Sequence, residues 1–247
     1  MKTGYVKSEY GYDIPYISRI KGDESIILVV AHGFASSKGS PNVKMLMEHL
    51  PDRGIGVVAF DFPGHGDSPV DGHSLMIDNC MSDLKSVCDL VSENFPDAET
   101  GYFGSSFGAY IIMNYLMKYR IKGARVFMRS AAVNMHEFFD ELSDDQALQL
   151  ERDGHIILDY DNVPSIMLTE GFVDDLKKHD LFKSFDPEGN RIMMIHGSRD
   201  EDVDYLEAKK FSERFGIDIV TVDGGDHRLS VAGAPETVLR ETLKFFR

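Results

Sequence analysis

The chain has no tryptophan and only two cysteines among its 247 residues. Cys80 and Cys88 are eight positions apart on what reads as one helix, roughly 12 Å along its axis. That separation excludes a disulfide between them, so both thiols are expected reduced, in keeping with a cytoplasmic protein. There is no CxxC pair, and His136-Glu137 lacks the second histidine of a zinc helix, so no metal site is expected. Long apolar runs are missing as well. The longest, Ile26 to Ala31, is far too short for a bilayer, and Met1-Lys2-Thr3-Gly4-Tyr5-Val6-Lys7 carries no apolar segment of a secretory signal. Basic charge is scarce: 26 Lys and Arg against 41 Asp and Glu leave a net charge of −15. Nucleic acid and anionic membrane surfaces are therefore excluded as partners by repulsion. No Gly-x-Gly-x-x-Gly follows the first apolar strand, and no cofactor is expected.

What is present suits one large α/β domain, or such a domain with an insertion. Hydrophobic content of 43% and charged content of 27% are ordinary for a globular enzyme. Residues 2–20 alternate aromatic and β-branched side chains around Glu9-Tyr10-Gly11-Tyr12-Asp13, the pattern of an opening β-hairpin. Ile26–Ala31 reads as a strand covered on both faces, and it ends in His32-Gly33-Phe34. Ser40-Pro41 opens a helix as cap and first-turn residue. A second buried strand lies within 54–62 and runs into the turn-rich Pro63-Gly64-His65-Gly66-Asp67-Ser68. Ile77, Cys80, Met81, Leu84, Val87, Cys88 and Val91 keep a helical period. Further strands are expected near 124–128, 192–195 and 217–222, with helices near 205–215 and from Pro235. Strands alternating with helices imply a mostly parallel sheet with helices on both faces.

Between 134 and 188 that alternation breaks. The stretch holds 15 acidic and 4 basic residues, a net −11 of the chain's −15. It is read as a cap folded over the carboxyl ends of the strands, with residues 1–133 and 189–247 forming the core. Carboxylates such as Asp144-Asp145 and Asp174-Asp175 are expected to solvate its surface. Phe138, Phe139, Ile156, Ile157, Leu158, Ile166, Met167, Leu168 and Phe172 are expected to line an acyl or aryl pocket.

The chain is organised around Gly104-Ser105-Ser106-Phe107-Gly108. A β-prone run precedes it, and a helix with no polar face, expected over 109–119, follows. Gly-x-Ser-x-Gly in that setting is a nucleophile elbow, a turn tight enough to display the Ser106 hydroxyl. A serine hydroxyl needs a base to take its proton and a third group to hold that base. After such an elbow the order along the chain is Ser, acid, His. Asp223-Gly224-Gly225-Asp226-His227 follows the last strand and supplies His227 as base. His196-Gly197-Ser198-Arg199-Asp200-Glu201-Asp202 supplies the acid. Asp200, the first carboxylate past Gly197, is preferred, with Asp202 the alternative and Asp226 disfavoured. The oxyanion is expected to meet the backbone N–H groups of Phe34 and Phe107. His32 and His65 are read as turn architecture.

Together, His32-Gly33-Phe34, Phe60-Asp61-Phe62-Pro63-Gly64-His65-Gly66-Asp67-Ser68, the elbow, His196-Gly197-Ser198-Arg199-Asp200 and Gly225-Asp226-His227 resemble the α/β-hydrolase superfamily over nearly the whole chain. Within it the chain looks like compact bacterial carboxylesterases, a group with feruloyl (cinnamoyl) esterases and monoacylglycerol-lipase-like enzymes. Ser105 stands where many relatives carry His. A serine in the elbow argues against dehalogenase, epoxide hydrolase and dienelactone hydrolase chemistry, whose relatives place Asp or Cys there. The resemblance implies a small-molecule ester as substrate, with small or aromatic acyl groups. The alternatives are an aminopeptidase of the proline-iminopeptidase type, which grips a free amine with cap carboxylates, and a thioesterase or acyltransferase. Nothing in the sequence bars a homo-oligomer.

Overall fold

The computed structural model describes residues 1–137, 142–159 and 165–247. The opening residues form the expected hairpin, in which β1 (Lys2–Lys7) pairs antiparallel with β2 (Asp13–Arg19). Then come β3 (Ile26–Ala31), β4 (Ile55–Phe60), β5 (Glu99–Ser105) and β6 (Arg125–Arg129). The inserted segment contributes a small antiparallel pair of its own, β7 (His155–Leu158) and β8 (Ile166–Thr169). The chain returns to the main sheet with β9 (Arg191–Gly197) and β10 (Asp218–Val222). Eight strands stand in the order β1-β2-β4-β3-β5-β6-β9-β10, and all pairings from β4 to β10 are parallel.

Every residue of β3 and β4 is buried, because helices cover both faces of the sheet. The period-2 alternation of β3 shows how. Ile27, Val29 and Ala31 enter one core with α2 (Ile77–Asn94) and α3 (Phe107–Lys118). Ile26, Leu28 and Val30 enter the other with Val43, Leu46 and Met47 of α1 (Pro41–His49) and with Val238, Phe245 and Phe246 of α8 (Ala234–Phe246). As expected, Ser40 accepts a hydrogen bond from Val43 N at the start of α1. Cys80 and Cys88 are free, buried residues of α2.

Helix α3 begins two residues earlier than its apolar run indicates, because the tight turn ends at Ser106 and Phe107 already has helical backbone. Its residues from Phe107 to Leu116 are all buried. The inserted segment accounts for part of this. Besides β7 and β8 it holds α4 (Asp144–Asp153), α5 (Glu170–Leu176) and α6 (Leu181–Ser184). Tyr110 Oη in the first turn of α3 donates to the carbonyl of His179, at 2.8 Å.

One carboxylate of that segment departs from the surface role expected of it. Asp175 is buried, and its Oδ2 accepts from the backbone N–H of Ile77 at 2.9 Å. Ile77 is the first residue of α2, whose own N-cap, Met76, offers no side-chain acceptor. Asp175 therefore caps α2 from another part of the chain, where the helix dipole also favours an anion. Asp144 and Asp145 are exposed, as expected. Ile156, Ile166, Leu168 and Phe172 are buried in the core, whereas Ile157 is 48% exposed. Phe138 and Phe139 lie outside the described residues.

Asp175→Ala is expected to cost about 1–2 kcal/mol, read as a lower urea midpoint with an unchanged slope. Asp144→Ala should stay within about 0.5 kcal/mol of the parent. Equal midpoints for the two variants would remove the capping role.

Candidate active site

Ser106 sits between β5 and α3 with φ 50° and ψ −114°, a left-handed conformation that a serine adopts only under constraint. Two glycines make the turn feasible. A Cβ on Gly108 would lie 2.1 Å from the carbonyl oxygen of Ala31, and one on Gly104 2.5 Å from Cα of Ala109. The turn is held by the hydrogen bond from Ser106 N to Arg129 O at 2.9 Å and by those from Ala109 N and Tyr110 N to Ser106 O.

The loops after β9 and β10 meet at this turn. A Cβ on Gly197 would lie 2.3 Å from the carbonyl oxygen of Gly225, and Arg199 N donates to that oxygen at 2.9 Å. The contact brings the sequence-predicted trio together. His227 Nε2 lies 3.1 Å from Ser106 Oγ, and His227 Nδ1 lies 2.9 Å from both carboxylate oxygens of Asp200. A carboxylate only accepts, so Nδ1 carries the proton and Nε2 turns its lone pair toward the serine.

Asp200 and Asp202 differ sharply in setting. The Asp200 side chain is fully buried and also accepts from the backbone N–H groups of Asp202 and Val203, at 3.0 and 2.8 Å. Burial alone would raise its pKa, but donors on His196 and His227 hold it well below the usual carboxylate range. The Asp202 side chain is 54% exposed, and its Oδ2 lies 4.0 Å from His227 Nε2. Asp226 turns away and binds Ser230 through the backbone N–H and hydroxyl of that residue.

The loop after β3 also reaches the serine. A Cβ on Gly33 would lie 3.4 Å from Cβ of Ser106, which places the adjoining Phe34 beside the nucleophile. Phe107 follows Ser106 at the head of α3. The Phe34 and Phe107 rings meet edge to face at 6.0 Å, and Phe172 of α5 stacks on Phe34 at 6.1 Å. His32 orders the loop from behind, with Nδ1 2.7 Å from Gly33 O and Nε2 accepting from Phe62 N at 3.1 Å. At the far end of the loop, buried Asp61 accepts from Lys38 N and Lys38 Nζ and from Asp67 N.

The sequence alone assigns no role to two residues at the site, although His196 opens one of the motif segments. His196 Nε2 lies 3.0 Å from both Asp200 Oδ2 and Val203 O, so its N–H is a second ring donor beside the acid. Arg129, 3% exposed, donates through Nη1 to Ser105 Oγ at 2.6 Å. Among the described residues no group of three or more metal-ligating side chains is placed to hold an ion, and no helix is long and apolar enough to cross a membrane.

His65 has no hydrogen bond to Ser106. Its Nδ1 lies 2.8 Å from Pro63 O, and its ring packs against Phe34 and Phe107. Burial, aided by the neighbouring His32, pushes it down to about 3 from the ordinary 6.5. Between those values the unfolded chain binds a proton that the folded chain refuses. The stability His65 contributes is thus complete above pH 6.5 and drains as pH falls toward 3. His65→Gln should flatten the dependence of unfolding free energy on pH between 6.5 and 4 by up to about 1.4 kcal/mol per pH unit, measured by urea titrations across that range. An unchanged slope would contradict this account.

Comparison with known proteins follows the same lines. The profile of the family described as Serine aminopeptidase, S33 (Hydrolase_4) matches residues 22–157, more than half of the chain. No curated protein matches. A protein of Agrobacterium vitis S4 with a provisional hydrolase designation superposes with a TM-score of 0.85 at 19% identity, over 100% of this chain and 99% of that one. Est1E from Butyrivibrio proteoclasticus, solved with ferulic acid bound, gives 0.80 at 18% identity over 98% and 99%. The Pyrococcus furiosus esterase Pf2001 gives 0.71 at 19% over 99% and 91%. The chain belongs to the Serine aminopeptidase, S33 (Hydrolase_4) family and has the fold of the α/β-hydrolase superfamily.

Proposed function

We propose that this protein hydrolyses carboxylic esters with small or aromatic acyl groups through an acyl-enzyme on Ser106. The observation that carries the reading is the single imidazole of His227, which spans 3.1 Å to the serine hydroxyl and 2.9 Å to a buried carboxylate. As Ser106 Oγ attacks the ester carbonyl, its proton passes to His227 Nε2 and Asp200 stabilises the imidazolium that forms. The backbone N–H groups of Phe34 and Phe107 receive the oxyanion, with the dipole of α3 adding to the latter. When the intermediate collapses, the C–O bond to the alcohol breaks and the alcohol leaves with the proton from Nε2. Water then attacks the acyl-enzyme by the same route, giving the acid and restoring Ser106.

An ester is favoured because Phe34 and Phe172 place aromatic surface beside the nucleophile, and because Est1E, of the same fold, binds ferulic acid. An aminopeptidase is the second reading. The family's description and the exposed Asp202 carboxylate, 4.0 Å from His227 Nε2, favour it. The negative field of the chain disfavours anionic substrates under either reading.

Ser106→Ala should lower turnover of a p-nitrophenyl ester by about 10⁴-fold or more while the protein stays folded; retention of most activity would refute the nucleophile. Asp200→Asn should lower kcat by about 10³- to 10⁴-fold, because an amide no longer fixes the tautomer of His227, whereas Asp202→Asn should stay within about threefold. A reversed order would transfer the acid to Asp202. A panel of p-nitrophenyl acyl esters, methyl ferulate and aminoacyl-p-nitroanilides decides the substrate class, and preference for the anilides would replace the esterase reading.

A further inference from the structure

Strand β6 contributes no member of the trio, yet its last residue and the one that follows bond to all three strands and loops that do. Arg129 O accepts from Ser106 N at 2.9 Å, and Ser130 N donates to Ile195 O in β9, at 2.8 Å. Ser130 adopts a left-handed backbone, φ 46°, and its Oγ donates to the carbonyl oxygen of His227 at 2.8 Å. Arg129 Nη2 donates to that same oxygen at 3.2 Å, while Nη1 holds Ser105 Oγ at 2.6 Å. On its other side the His227 backbone is fixed by its N–H, which donates to Glu201 Oε2 at 3.2 Å. The direction of a side chain follows from its backbone, so clamping this peptide aims the imidazole.

Arg129 is a costly residue to bury for that purpose alone. The residue is buried, its Nε has no partner, and no carboxylate lies within ion-pair distance among the described residues. Burial lowers its pKa to about 10, with Asp200 and Asp226 opposing the fall. Two neutral acceptors offset little of the expense of desolvating a cation. Its two Nη groups instead join two segments of the site, Ser105 of the elbow and the peptide of His227. The charged groups that face His227 from the β9 loop are acidic: Asp200 at Nδ1, Asp202 at 4.0 Å from Nε2 and Glu201 at the backbone N–H. In the β10 loop Asp226 and Arg228 flank it.

We propose that Arg129 is a positioning residue for the reaction, tying the elbow to the His227 peptide through its two Nη groups. The inference rests on the Ser106-His227-Asp200 reading given above. Its test therefore uses a readout that does not depend on the substrate. A fluorophosphonate reacts with an activated serine: the Oγ–P bond forms, the P–F bond breaks, fluoride leaves, and the serine proton passes to the base. The second-order rate of that reaction is measured for the parent, Arg129→Met, Arg129→Lys, Ser130→Ala and Ser106→Ala.

Arg129→Met should react about 10- to 100-fold more slowly. Arg129→Lys should recover only part of the rate, because an ammonium lacks the planar fork that serves both acceptors. Ser130→Ala should slow the reaction about threefold or more. Arg129→Met within about twofold of the parent would overturn the proposal. If Arg129→Met fails to fold, parental rates in both Arg129→Lys and Ser130→Ala would overturn it equally. Labelling of Ser106→Ala would instead refute the nucleophile itself. An inert Ser106→Ala beside an unaffected Arg129→Met would refute the positioning role alone.

Discussion

The left-handed backbone of Ser106 is the constraint from which the rest of the site follows. Such a conformation costs about 1–3 kcal/mol in a residue with a Cβ, and it persists only where the surroundings leave no alternative. Here α3 starts so close to β3 that a methyl group on Gly108 would overlap the Ala31 carbonyl. The chain must therefore reverse within one residue, and the residue at the reversal presents its side chain above the sheet. The hydrogen bond from Ser106 N to Arg129 O ties the same residue to the neighbouring strand. Sheet spacing, helix approach and hydroxyl display are thus one geometric fact.

A second constraint is electrostatic. The Asp200 side chain has no exposure, and a buried carboxylate remains ionised only if its oxygens are filled with donors. Its oxygens receive two ring N–H groups and two backbone N–H groups. Asp202, two residues along, has water and no such cradle. The difference between them is made by the turn at 200–203, where the backbone folds its N–H groups back onto the first carboxylate and leaves the second outside. His196 completes the cradle because β9 delivers it from inside the sheet, so the strand that presents the acid also supplies one of its donors.

Most of the architecture was legible in the sequence because it rests on local rules. Continuous apolar runs marked the buried strands, a 3.6-residue period marked α2, and two glycines around a serine marked the elbow. The order serine, carboxylate, histidine named three residues that the fold brings within hydrogen-bond reach. What stayed hidden depends on partners far along the chain. Arg129 ends an apolar strand and looks like its solvent-facing terminus, until Ser105 and the peptide of His227 are brought around it. His196 looks like a loop residue, because nothing in its neighbours along the chain states that Asp200 will fold back against it. Asp175 was lost in a run of carboxylates, since only the start of α2, about a hundred residues away in the chain, distinguishes it from Asp174.

The acidic segment between β6 and β9 therefore does two physically separate things. Asp175 spends its charge on the N-terminus of α2, the carbonyl of His179 accepts Tyr110 of α3, and Phe172 sets its ring against Phe34 and Phe107. These contacts fasten the segment to the two helices of one core and to the aromatic wall beside Ser106. The exposed carboxylates, Asp144 and Asp145 among them, take no part in that fastening. Their effect is a field, and the field of a net −11 segment reaches about a Debye length, ~8 Å at physiological ionic strength. Ring contacts act over a few ångströms and discriminate by shape, whereas the field acts on a substrate before it arrives and discriminates by charge. Shape selection and charge selection can thus vary independently in this segment, because different residues carry them.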